Sequence, residues 1–198
     1  MNYPEFFDTI DPIVLQDGLS DLLGTFDGGL VEYHYVDVVK SAGHSCPTVA
    51  GAYLMTREGL KALYGNETPT RGGIFVSFAE NSTEGVAGVI ANVVTQITGA
   101  TETMGFKGIG GRFVRHGLME FEADIQASVR FKRLDTGQTV EVVYDPSGVS
   151  GDPRQQELMQ KIMQGVASPE DKQDFGKLWQ QRVRRIFDQV DSVISIKS

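Results

Sequence analysis

Ala42-Gly43-His44-Ser45-Cys46-Pro47-Thr48 is the stretch from which the rest of the chain can be read. It holds the only cysteine and one of three histidines, and its proline stands where a helix can begin. Beyond it Val49, Ala50, Tyr53, Leu54, Leu60 and Leu63 recur at helical spacing, and Gly65-Asn66 is a stop signal. The reading is a helix with Cys46 as N-cap and Pro47 as its first residue. A sulfur there sits where unpaired backbone N–H groups converge, a setting that serves both nucleophilic attack and metal ligation. His44, two residues upstream, can bring an imidazole to the same small volume. A buried structural cysteine beside a surface histidine is the plainer alternative, since free cysteine is among the most buried residue types.

Around this stretch the chain has the length of one domain, or of one domain with a helical appendage: 198 residues, 40% hydrophobic and 22% charged. No apolar run approaches the roughly 20 residues that span a bilayer, so no membrane is expected. The opening Met1-Asn2-Tyr3-Pro4-Glu5 has neither a basic region nor a following apolar core and does not read as a secretory signal. A single cysteine cannot form an intramolecular disulfide, which suits a reducing cytoplasm. The net charge of −8 argues against nucleic acid as a partner. Arg182, Arg184 and Arg185 cluster on a helical stretch and read as a solvated face.

Taken in order, residues 13–23 read as a short helix ending at Gly24, and Asp27-Gly28-Gly29 as a turn. A short segment at 36–40, with His34 at its start as part of an aromatic strip, leads into the cysteine stretch. Ile74-Phe75-Val76-Ser77-Phe78 is a strand. Val86, Val89, Ile90, Val93, Val94 and Ile97 make a helical core stripe that ends at Gly99. The glycine-dense region 99–111 surrounds Lys107. It lacks a Gly-Lys-Ser/Thr ending and follows a helix rather than a strand, so it is a poor phosphate loop; its glycines suit a tight turn and close backbone approach. Residues 112–121, 125–133 and 139–144 alternate with period two, and Leu134-Asp135-Thr136-Gly137 is a hairpin turn. Residues 156–163 form a short helix. Ser168-Pro169-Glu170-Asp171 then starts a longer one with Phe175, Leu178, Trp179, Val183, Ile186, Phe187 and Val190 on one apolar face.

The expected architecture is therefore α+β: a largely antiparallel sheet from 74–78, 112–121, 125–133 and 139–144, with the Cys46 helix and an 84–98 helix packed on it. Residues 1–150 form the core. Residues 151–198 form C-terminal helices, packed on that core or on a second subunit, which makes a homodimer the expected assembly.

The chain resembles the E-subunit-like family of formylmethanofuran dehydrogenase. That family carries a His-Gly-His-x-Cys-Pro-Gly stretch at a helix start, then a helix ending in Thr-Gly-Cys-Thr and a Gly-Lys-Gly loop. The matching residues here are Ala42-Gly43-His44-Ser45-Cys46-Pro47-Thr48, Thr98-Gly99-Ala100-Thr101 and Gly105-Phe106-Lys107-Gly108, with a tail match through 165–171 and Phe175…Leu178-Trp179. The resemblance implies an α+β core, often dimeric, with a cleft in which His44 and Cys46 hold a metal near Lys107 and Gly108. Ala42 and Ala100 stand where the family has a histidine and a cysteine, and no further cysteines exist for a zinc-finger extension.

Three readings follow. In the first the chain is a metal-dependent enzyme or metal-binding accessory protein of redox or one-carbon metabolism. His44 and Cys46 suit zinc best, and a third donor comes from His34, His116, Glu80, Glu84 or a second subunit. Alternatively the site takes something larger, such as a haem, through one axial residue. In the second reading Cys46 is a metal-free nucleophile and His44 its base. In the third the chain is a non-catalytic binding or assembly protein that docks through its last helix. A small-molecule ligand is the expected partner.

Overall fold

A computed structural model describes residues 2–197. Its first strand, β1 (Ile13–Gln16), lies where the residue pattern suggested a helix. Ile13 and Leu15 are buried while Val14 and Gln16 are less so, a period of two that pairs β1 antiparallel with β2 (Leu30–Tyr33). Only the second half of the stretch is helical, as α1 (Gly18–Leu22), because the Asp17 carboxylate accepts the N–H groups of Leu19 and Ser20 and starts it there. Helix α2 (Tyr35–Ala42) begins at His34, whose N–H is held by Asp37, and ends on Gly43 in the left-handed conformation at φ 76°.

Helix α3 (Pro47–Tyr64) is the centre of the molecule, and its start is the one expected: Cys46 is the N-cap and Pro47 the first residue. From Val49 to Thr56 every residue is buried, so the helix is covered on all sides rather than amphipathic. Gly51 is required by that crowding, since a side chain there would overlap the Tyr144 ring.

Strand β3 (Ile74–Phe78) forms as expected, and α4 (Ala87–Thr98) starts three residues later than the expected 84. The expected strand at 112–121 shrinks to β4 (Met119–Glu120). Phe113 adopts φ 63°, a bridge links Ile109 to Arg112, and Arg115 turns inward to be buried, so the backbone coils where the pattern alternates. Strands β5 (Val129–Arg133) and β6 (Thr139–Tyr144) follow, then α5 (Arg154–Met163) and α6 (Pro169–Asp188), whose start is fixed by a capping box between Ser168 and Asp171. A short α7 (Val190–Val193) leads into β7 (Ile194–Lys197), a strand that the residue pattern did not suggest.

The larger sheet runs β4-β3-β5-β6-β7, with only the β3–β4 pair parallel, and β1–β2 form a separate ribbon. The fold is thus mixed α+β. One face of the sheet, with Ile74, Val76, Val129, Phe131, Val140 and Val142, is buried in the core that α3 occupies. Across the other face the register lines up Glu120, Ser77, Arg130, Glu141 and Lys197, a polar row in which Arg130 bonds Glu141 at 3.0 Å. Among the described residues no helix is long and apolar enough to cross a membrane.

Candidate functional site

The turn between α2 and α3 presents its residues in three different ways. Gly43 reverses the chain, His44 is exposed, Ser45 is buried and Cys46 is half-buried. His44 bonds through Nδ1 to the carbonyl of Ala42 at 3.0 Å. With the proton on Nδ1 as donor, the ring is oriented and its Nε2 lone pair points away from the backbone, the arrangement that ligating histidines use. His44 stands on the wall of a cleft of about 480 Å³ between α2 and α4, whose other walls include Val38, Ser41, Asn92, Val93 and Gln96. These other polar groups are uncharged. Gln96 is fixed by donating to the Asp37 carbonyl at 3.1 Å.

Cys46 does not line that cleft. Its Sγ accepts the Val49 N–H at 3.4 Å, as a cap does, and the side chain packs against the core. Two phenols stand near it, Tyr35 buried and Tyr144 half-buried. Tyr144 donates from Oη to the Pro47 carbonyl at 2.7 Å, and Tyr35 shares a 2.9 Å bond with the Ser45 hydroxyl. Burial pushes both phenols far above their usual pKa, so they stay protonated donors.

Lys107 and Gly108 lie in the glycine-rich loop, where Lys107 is exposed, and neither lines the His44 cleft. That loop is tied to its own later residues: the Arg115 N–H donates to Phe106, and the Thr101 hydroxyl to the Arg115 carbonyl at 2.8 Å. His34 faces Glu32 at 3.5 Å, and His116 is exposed beyond the loop.

Two groupings join residues that the sequence pattern does not bring together. The first is a buried charge cluster. Asp17 receives Arg115 at 2.7 Å and Arg71 at 3.1 Å, and Arg71 also donates to the carbonyls of Gln96 and Ile97 at the end of α4. Burial works to raise the Asp17 carboxyl, but Arg115, the Leu19 N–H and Arg71 outweigh it and hold it below the usual carboxylate value. The second is the grip of α6 on Ser45, through Trp179 and Gln180. No local motif marks either group, because their members are far apart in the chain.

The donors present limit what metal centre the protein can hold. Among the described residues no three His, Cys, Asp or Glu side chains converge, so one chain does not supply a closed tetrahedral zinc site. What the chain does supply is one oriented imidazole and, two residues on, one thiol.

Fold and site define an α+β protein built around a single-cysteine helix start. The family described as FmdE, molybdenum formylmethanofuran dehydrogenase operon, matches residues 42–195, well over half of the chain, and the protein belongs to that family. Comparison with curated proteins gives no match.

Proposed function

We propose that this FmdE-family protein binds a metal-bearing small molecule at the cleft between α2 and α4, with His44 as its protein donor. The observation that carries the reading is the His44 ring held by the Ala42 carbonyl, which frees Nε2 beside a cleft large enough for a ligand. A bound metal centre would supply Lewis-acid or redox chemistry; the chain's own residues orient it. Val38 and Val93 give the cleft apolar walls, and Ser41, Asn92 and Gln96 offer neutral hydrogen bonds. Haem asks least of the protein, since one axial histidine holds it. A bare zinc ion at this cleft would take its remaining donors from a ligand or from a second copy of this chain, because Cys46 lies off the cleft.

The test is metal analysis and an optical spectrum of the protein as purified, followed by titration with hemin and with zinc. Binding of either that is lost in His44→Ala supports the reading. Metal-free protein that takes up neither probe overturns it. The thiol reading, favoured by the N–H group aimed at the Cys46 sulfur, would then take its place.

A further inference from the structure

Ser45, the residue between His44 and Cys46, is held from the far end of the chain. Its carbonyl accepts the Trp179 indole N–H at 3.0 Å and the Gln180 amide N–H at 3.1 Å. Its hydroxyl donates to the Gln180 amide oxygen at 3.0 Å and accepts from Tyr35 at 2.9 Å. Gln180 therefore uses both ends of its amide on this one residue. Tyr35 is itself fully buried, with its ring edge-on to Phe7, Tyr53 and Phe187. Donors from α6 and a rigid phenol from α2 thus converge on a single buried serine.

The Ser45 carbonyl belongs to the peptide unit that contains the Cys46 nitrogen. Fixing that carbonyl fixes the peptide plane through which the chain enters α3, and with it the direction from which His44 and Cys46 project. If α6 were withdrawn, a buried carbonyl would lose both side-chain donors, so docking of α6 and order in the turn are coupled.

We infer that Trp179 and Gln180 are positioning residues for the His44–Cys46 turn, and that the C-terminal helix sets the geometry of that site. The consequence for ligand affinity rests on the function proposed above; the consequence for Cys46 does not.

The experiment uses the full chain with Gln180→Leu, which keeps volume and removes both amide bonds, and Trp179→Phe, which removes the indole donor and part of the ring volume. Val140→Ala, in β6 and away from the turn, is the control for general loss of stability. The first readout is the rate at which iodoacetamide alkylates Cys46, the only cysteine, measured by mass spectrometry. Gln180→Leu should label several-fold faster than the native protein and Trp179→Phe faster by less, while Val140→Ala labels at the native rate. The second readout is hemin affinity, which should weaken roughly tenfold in Gln180→Leu, the effect of two lost hydrogen bonds.

Native labelling rates in both α6 variants, or equal acceleration in Val140→Ala, would overturn the inference. Should the native protein bind no hemin, the function proposed above loses that support, and labelling alone decides the role of Trp179 and Gln180. Should Gln180→Leu fail to fold, Trp179→Phe against Val140→Ala carries the same comparison.

Discussion

Replacing Cys46 by serine separates its capping role from any ligand role. The sulfur accepts one N–H at 3.4 Å, and a serine oxygen at an N-cap does this better. Cys46→Ser should therefore leave the urea midpoint of unfolding unchanged or raise stability by about 0.5 kcal/mol. Zinc retention, read by metal analysis after gel filtration, should stay near the native level, because Cys46 lies off the cleft that His44 lines. A sharp fall would instead add Cys46 to the donor set. The cap itself is legible in the chain, because Cys46-Pro47 followed by a helical stripe is a local pattern. The exposure of His44 and half-burial of Cys46 are not, since they depend on what packs over the turn.

Among elements, the loop between α4 and β4 depends on the buried charge cluster. Asp17 joins the start of α1 to Arg71, ahead of β3, and to Arg115 in the loop. Asp17→Ala would leave two guanidinium groups without their counter-charge, at a cost of about 3–5 kcal/mol in denaturant unfolding. The pH dependence follows from the lowered carboxyl. Its contribution is present above the unfolded-state value of about 4 and is lost as pH falls toward the folded value. Melting temperature should drop on acidification below about pH 4, and Asp17→Asn should show a shallower drop from a lower starting point. An unchanged acid profile in Asp17→Asn would assign acid sensitivity to other carboxylates. This cluster also explains why the expected strand at 112–121 shrinks to Met119–Glu120. Arg115 follows its counter-charge inward, and a period-two pattern cannot register a partner 98 residues away.

For the whole molecule, the end of the chain closes both the sheet and the core. Val183 and Ile186 of α6 are fully buried, and β7 pairs along β6 from Tyr144↔Ile194 to Glu141↔Lys197. Deleting residues 194–197 should remove about 1.5–3 kcal/mol for Ile194 alone. It would also uncover the β6 edge, with added self-association visible by light scattering. A truncated protein with native stability and no association would show that β7 is dispensable. In this chain the apolar face of α6 turns inward on α3 and the aromatic cluster under Tyr35.

Short-range chemistry is enough for the α3 start, the extents of β3 and β6, the Ser168 cap and the α+β class. Each depends on interactions within a few residues: caps, turn chemistry and the period of apolar side chains. Long-range packing is needed for β1, the coiling of 99–118, the return of the chain end as β7, and the grip of Trp179 and Gln180 on Ser45. A short apolar segment such as 13–16 or 194–197 becomes a strand only when a partner edge satisfies its backbone groups. The local pattern names no such partner, and in the same way it cannot name the helix that holds a buried serine carbonyl across 134 positions.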